Sequence, residues 1–272
     1  MTEAVPGHLL RGERVFSLRG VTRSFAGRFL ALAGITLDIE AGELLCLCGP
    51  SGCGKSTLLN LLAGLDEPDQ GELLFRGDRV RGPGPDRAVL FQDHALFPWR
   101  NVAGNVAYPL EQARFSKARI AARVEELLRL VRLSRFADSR IHELSGGMRQ
   151  RVALARAFAC DPEVLLMDEP FGALDAQTRD VLLAELSRIW QDSGKTIVFV
   201  THNVREAAVL GTRIALMKTR PGRILRILPV DIPRPRQIED AAVARLAGRI
   251  KEMLAAETER ALREELRDDG RD

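Results

Sequence analysis

The chain is 272 residues long, with 40 basic and 37 acidic residues, a formal charge of +3, 46% hydrophobic residues and 5% aromatic ones. That length sustains a large core, and charged residues at 28% with this apolar share exclude a disordered chain. Acidic and arginine side chains are interleaved, which excludes a nucleic-acid-binding tail, and no apolar run approaches the roughly 18–20 residues of a membrane span.

In chain order, residues 1–16 hold no continuous apolar stretch of the kind that opens a secretion signal, so a non-secreted protein is expected. Val15–Phe25 reads as a first strand. Ile35–Ile39 alternates apolar and polar residues, Gly42 marks a turn, and Leu44–Cys48 is continuously apolar, like a strand buried on both faces. The glycine-rich GPSGCGKS follows and leads into Thr57–Leu65, a leucine-rich helix expected to end at Gly64. Residues 77–100 are loop-rich, with Gly82, Pro83, Gly84 and Pro85 between strand-like pieces. From Ser116 to Ala159 the pattern turns helical, with Ile120, Val124, Leu127, Leu128 and Val131 at helix spacing.

Val164–Met167 and Thr196–Val200 are two further apolar strands, separated by a helix around Thr178–Trp190. Strands alternating with helices predict an α/β fold with a mainly parallel sheet, interrupted by a helical insertion over about 100–160. Beyond Pro221, Gly222, Pro233 and Pro235 the composition shifts. Residues 240–268 carry Val243, Leu246, Ile250, Leu254, Ala261 and Leu262 among dense charges, an amphipathic helix or helix pair. It is expected to pack on its own domain, with a partner-facing role as the alternative. The four cysteines, Cys46, Cys48, Cys53 and Cys160, show no C-x-x-C spacing and read as reduced thiols.

Gly49–Ser56 matches G-x-x-x-x-G-K-[ST], placed after an apolar strand and opening a helix. Glycines let backbone N–H groups curl around a polyphosphate, and the helix N-terminus adds its positive end. Lys55 is suited to the β- and γ-phosphates and the Ser56 hydroxyl to Mg²⁺. Asp168 and Glu169 follow a buried strand, the place where α/β sheets gather ligand groups. Asp168 is suited to hold the metal and Glu169 to polarise an attacking water. The guanine-reading N-K-x-D is absent, and adjacent carboxylates favour water over another acceptor.

At Leu144-Ser145-Gly146-Gly147-Met148 the sequence resembles the ABC-transporter ATPases and their LSGGQ signature. Other family elements occur in order. Gln92 in FQD resembles the Q-loop glutamine, Ala173-Leu174-Asp175 the D-loop, His202 after TIVFV the switch histidine, and Phe25 the adenine-stacking aromatic. Met148 in place of glutamine and Phe25 in place of tyrosine are departures that spare the signature serine and glycines and the stacking face. The resemblance implies a P-loop, RecA-like core with an antiparallel β part, an ATPase domain over 15–230 with its helical subdomain at about 100–160, and a helical tail over 231–272. It implies ATP and Mg²⁺ as ligands. The nucleotide set is Phe25, Gly49, Pro50, Ser51, Gly52, Cys53, Gly54, Lys55, Ser56, Thr57 and Asp175, completed by Ser145 and Gly147 of a second copy in a nucleotide-sandwich dimer. Ser56, Gln92 and Asp168 form the implied metal set; Glu169, His202, Gln92 and Lys55 form the implied catalytic set.

The stretches FQDHALFPWRNVAGNV and TRPGRIL…VDIPRPR resemble importer ATPases for nitrate, taurine and aliphatic sulfonates. That implies integral membrane permease subunits as partners, a periplasmic or lipoprotein solute-binding protein acting indirectly, no nucleic acid, and a peripheral location on the cytoplasmic face of the inner membrane. Leu96, Phe97, Pro98 and Trp99 form an apolar cluster in a polar loop, either a partner surface or a local staple on the core. Two rival readings are a soluble ABC ATPase not linked to transport and a non-catalytic nucleotide-regulated module; one P-loop without C-x-x-C disfavours the first, and Glu169 with His202 the second.

Overall fold

The computed structural model describes residues 12–25, 29–91, 95–172, 174–219 and 221–268, with side chains of the last helix followed to Glu257 and at Glu259. Strands β1 (Arg14–Phe25) and β2 (Phe29–Glu40) pair antiparallel, and β3 (Leu44–Cys48) then opens a second sheet. After helix α1 (Lys55–Ala63) the chain returns to the first sheet with β4 (Gln70–Phe75) and β5 (Asp78–Arg79), giving the order β2-β1-β4-β5. β6 (Arg87–Leu90) joins the second sheet. Helices α2 (Val102–Gln112), α3 (Lys117–Leu130) and α4 (Gly146–Ala157) follow, and β7 (Val164–Asp168), α5 (Ala176–Ser193), β8 (Thr196–Thr201), α6 (Val204–Leu210), β9 (Arg213–Lys218), β10 (Arg223–Pro229) and α7 (Ala241–Asp268) complete the chain. The second sheet is ordered β10-β9-β3-β8-β7-β6; its strands run parallel except for the antiparallel edge strand β10.

The two-residue period of a strand decides the layering. Leu45 and Leu47 of β3, Leu166 of β7 and Val198 and Val200 of β8 face α1 and the antiparallel sheet, in one core. Their alternate neighbours Leu44, Cys46, Cys48, Leu165, Met167, Ile197 and Phe199 face the helices α4 to α7, in the other. A strand buried on both faces has no polar residue to spare, which is why β3 reads as an unbroken apolar run. Burial also pushes the Cys48 thiol up to about 12 and the Cys46 thiol well above its ordinary value, so both sit in the core as neutral thiols.

The expected elements are present with adjusted limits. α1 begins at Lys55 rather than Thr57 and stops before Gly64, whose φ of 73° and whose neighbour, the Gly82 carbonyl that a Cβ would meet at 2.2 Å, admit only glycine. The helical stretch starts earlier than Ser116, because the Asn101 side chain accepts from the Gly104 N–H at 2.7 Å and caps α2. Strands β9 and β10 carry no expectation from the sequence reading. The tail is one helix, not a pair. Val243, Ala247 and Ile250 are fully or nearly buried in the helix-facing core, and Leu246 and Leu254 pack beside them; the side chains of Ala261 and Leu262 lie outside the described residues. Among the described residues no helix is long and apolar enough to cross a membrane.

The proline-arginine stretch has a local role. Arg236 donates to the carbonyls of Ala208 and Gly211 at 3.1 and 2.7 Å, and Arg234 to that of Leu210, so two cations close the C-terminus of α6. Burial pulls Arg234 down to about 10, which leaves it charged at neutral pH. Because Ile250 is completely buried in the core that α7 shares with α6, Ile250→Ala is expected to lower unfolding stability by about 2 to 5 kcal/mol in urea denaturation. A change below measurement error would show that α7 is not part of the cooperative unit.

Candidate functional site

The residues between β3 and α1 wind through two left-handed glycines, Gly52 at φ 78° and Gly54 at φ 88°. A Cβ on Gly54 would stand 2.6 Å from Leu32 Cδ2 of β2, and one on Gly49 2.5 Å from the Met217 carbonyl of β9. The loop is thus wedged between the two sheets, and only glycine fits at both contacts. Gly54 supplies no side-chain cap, which leaves the first N–H groups of α1 to a ligand or water. Lys55 is 5% exposed. Its Nζ donates to the carbonyls of Gly49 at 2.9 Å and Pro50 at 3.0 Å, and lies 4.0 Å from Glu169 Oε1. Cys53 lies within the loop; burial raises its thiol, so it stays neutral.

Asp168 ends β7 and Glu169 follows it. Burial pushes the Asp168 carboxyl above the usual carboxylate range, opposed by a hydrogen bond with Ser56. Asp168 Oδ1 is buried without a hydrogen-bond partner. A buried carboxylate oxygen left unmatched beside a serine hydroxyl is a hard-donor pair suited to a divalent cation. Among the described residues no group of three His, Cys, Asp or Glu forms a complete cage, so phosphate oxygens and water would fill the remaining positions. Glu169 holds a left-handed φ of 43° while its N–H donates to the Val200 carbonyl of β8 at 3.1 Å. Its Oε2 is 2.8 Å from His202 Nδ1. Since a carboxylate only accepts, Nδ1 carries the proton in this contact. Lys55, Glu169 and His202 are therefore one connected group at the C-terminal edge of the sheet.

A second anion-ready helix start lies at the signature. Ser145 caps α4, its Oγ accepting from the Met148 N–H at 3.3 Å. Gly147 faces α5: a Cβ there would stand 2.6 Å from Thr178 Cγ2. Asp175 caps α5 through the Thr178 N–H at 2.9 Å, and that hydrogen bond holds its carboxyl below the usual range. A cavity of about 360 Å³ runs between the two helix starts, lined by Ser145, Gly147, Met148, Arg151, Gln177, Thr178 and Val181.

Phe25 is exposed at the end of β1, with the Arg23 guanidinium 5.2 Å from its ring centroid. Arg23 pairs with Leu32, which touches the phosphate loop, so Phe25 stands about 7 Å farther along the strand. Gln92 lies outside the described residues, as does Ala173. The apolar cluster divides into one residue held on the core and one exposed to solvent. Phe97 is fixed locally, by paired hydrogen bonds with the buried Asn105 side chain and by ring contacts at 4.6 Å with Tyr108 and 5.3 Å with Trp99. Trp99 is 70% exposed. Beside them opens a largely apolar cavity of about 450 Å³ between the sheet edge at β6 and helices α2 and α4, reaching Phe91, Ala95, Ala153 and Arg156.

Several site residues were not anticipated from sequence. Gly222 packs its α-carbon between the loop and β2; a Cβ would meet the Cys53 carbonyl at 2.4 Å and that of Ala31 at 2.6 Å. The Pro221-Gly222 turn was its only signal. Glu206 and Arg179 lie behind His202, with no motif to mark them. α7 also reaches the site: Lys251, Leu254 and Ala255 share a cavity of about 430 Å³ with Gly49, Pro50, His202 and Asn203, and Lys218 at the end of β9 pairs with Glu257 at 2.7 Å.

Comparisons with known proteins point to one family. A family model described as ABC transporter matches residues 32–172. The taurine import ATP-binding protein of Roseobacter denitrificans is 50% identical over 194 residues, covering 71% of this chain and 72% of that protein. The nitrate import ATP-binding protein of Synechococcus elongatus is 48% identical over 227 residues, 82% of this chain but 34% of that longer protein. A solved dimeric ATP-binding cassette, in a post-hydrolysis state with ADP and Pi, matches with a TM-score of 0.70 and 32% identity over 80% of this chain and 100% of that one. With the matched region running from β2 through both strand-end carboxylates, the chain belongs to the ABC transporter family and is an ATPase of the ABC type.

Proposed function

We propose that the chain is the ATP-hydrolysing subunit of an ABC importer, with residues 15–230 as the ATPase and 231–272 as a helical tail. The observation that carries this reading is the Lys55, Glu169 and His202 group beside the glycine-wound loop. ATP lies with its adenine on Phe25 and its phosphates on residues 49–57, and Lys55 exchanges its loop carbonyls for the β- and γ-phosphate oxygens. Ser56, Asp168 and Gln92 hold Mg²⁺, which when bound neutralises charge developing on the phosphates. Glu169 takes the proton of the attacking water as the new P–O bond forms and the bond to ADP breaks. His202 holds that carboxylate in orientation.

Two copies work head to tail. Ser145 and Gly147 of one copy supply a hydroxyl and helix-start N–H groups to the γ-phosphate held by the other, with Asp175 in the adjoining turn. These donors reach the reacting phosphate only when the copies close, which couples motion to the nucleotide. The apolar cavity with exposed Trp99 at its edge is the docking groove for a membrane permease on the cytoplasmic face, and a solute-binding protein acts through that permease. The cargo is a small anion such as taurine, an aliphatic sulfonate or nitrate. Relatives named for taurine and for nitrate are almost equally similar to this chain, which fits selectivity residing in the partner subunits.

Glu169→Gln is expected to keep ATP binding, lose turnover by about 10²–10⁴-fold and persist as a dimer with ATP in size-exclusion chromatography. Turnover at the parental rate removes Glu169 from the chemistry, and a variant that stays monomeric with ATP contradicts the shared site. Trp99→Asp changes an exposed residue, so the isolated chain is expected to retain its ATPase rate. It should no longer co-purify with its permease from detergent-solubilised membranes; undiminished co-purification would exclude the groove.

A further inference from the structure

Glu169 and His202 come from the ends of neighbouring strands, and the segments that bear them are joined a second time behind the reacting groups. Glu206, in the first turn of α6, is 5% exposed. Its Oε2 accepts from the Thr201 hydroxyl at 2.6 Å, and its Oε1 from the Asn203 side-chain amide at 3.3 Å. Thr201 and Asn203 are the two chain neighbours of His202, and the Asn203 N–H closes on Thr201 Oγ1 at 2.9 Å. The carboxylate of Glu206 thus grips His202 from both sides without touching its ring.

The same Oε1 faces Arg179 Nε of α5 at 3.5 Å. Arg179 donates from Nη2 to the Leu174 carbonyl at 2.6 Å and from Nε to the Phe171 carbonyl at 3.3 Å, both in the segment between β7 and α5 that begins at Glu169. Burial raises the Glu206 carboxyl, and Thr201 and Arg179 pull it back. A charge this deep is tolerated only with a partner and satisfied oxygens. Arg179 has the planar fork needed to serve a carboxylate and two carbonyls together, which lysine lacks.

We propose that Arg179 and Glu206 are a positioning pair that holds the His202 turn in register with the Glu169 turn. The inference rests on the reading of Glu169 and His202 as the hydrolytic pair. Neither residue of the positioning pair contacts the reacting atoms; each acts through the loop it holds. Small displacements of a hydrolytic group cost rate rather than affinity when the substrate is held elsewhere, here by the phosphate loop.

The test compares steady-state ATPase, ATP affinity and Tm for Glu206→Gln, Arg179→Met and the double variant Arg179→Met with Glu206→Met. Glu206→Gln keeps the side-chain shape and removes the charge, while the double variant replaces the ion pair, buried at Glu206 and partly buried at Arg179, by apolar groups of similar length, a change folds commonly tolerate. Each is expected to lower kcat about tenfold or more, with KM for ATP and ATP affinity within about twofold of the parent. The double variant should keep a low kcat even where its Tm recovers. Parental kcat in Glu206→Gln overturns the proposal, as does a double variant whose kcat recovers together with Tm, since the pair would then serve stability alone. Glu169→Gln runs alongside. If it turns over normally the hydrolytic reading itself fails; if it is inactive while the pair variants are normal, only the positioning role fails.

Discussion

The arrangement depends on the register of three parallel strands. Cys48 of β3 pairs with Thr201 of β8, and Asp168 of β7 pairs with Val200. The chain therefore leaves all three strands at the same level, and the phosphate loop, the two carboxylates and His202 emerge side by side. Register is itself held by burial on both faces of β3 and β8, because a slip of one residue would exchange the two cores.

Within that frame the backbone carries local strain at one functional residue. Glu169 is not glycine, yet it holds a left-handed φ of 43°. Such a conformation costs on the order of 1–3 kcal/mol and persists where the surroundings over-determine it. Here the bond from its N–H to the Val200 carbonyl ties the turn to β8, and the 2.8 Å contact with His202 engages the side chain. The turn thereby directs the carboxylate back toward Lys55 instead of letting β7 continue outward. The six-strand sheet supplies the rigidity against which the strain is held, and α7, sharing a core with α6, steadies the side of the sheet on which His202 stands.

Motifs contiguous in sequence were legible: Leu44–Cys48 with the glycine loop, Val164–Asp168 with Glu169, and Thr196–Thr201 with His202. Each combines an apolar run with a polar group at its end, a pattern that one strand and its turn produce alone. Contacts between distant segments were not. Gly222 is needed because Cys53 and Ala31 approach it from other parts of the chain, and Arg179 meets Glu206 across 27 positions. Arg234 and Arg236 stand in sequence only as part of the VDIPRPR stretch, with nothing to show that they close the end of α6. Their chemistry is ordinary and only their tertiary partners give it meaning. β9 differs for a related reason: Ile214–Met217 is as long an apolar run as Val164–Met167, but no motif residue stands at its end, and its place beside β3 follows from the sheet order.

The two tryptophans of the chain stand at opposite extremes of this architecture. Trp190 is almost wholly enclosed, its indole N–H bonded to the Gly42 carbonyl at 3.1 Å and its ring covered by Arg234. Trp99 projects from the aromatic cluster that also contains Tyr108, the only tyrosine. Intrinsic fluorescence of the unlabelled protein is therefore divided between an interior emitter and a surface one. A dissolved quencher reaches the surface indole selectively, so the chain carries a built-in optical reporter for whatever covers that edge of the sheet.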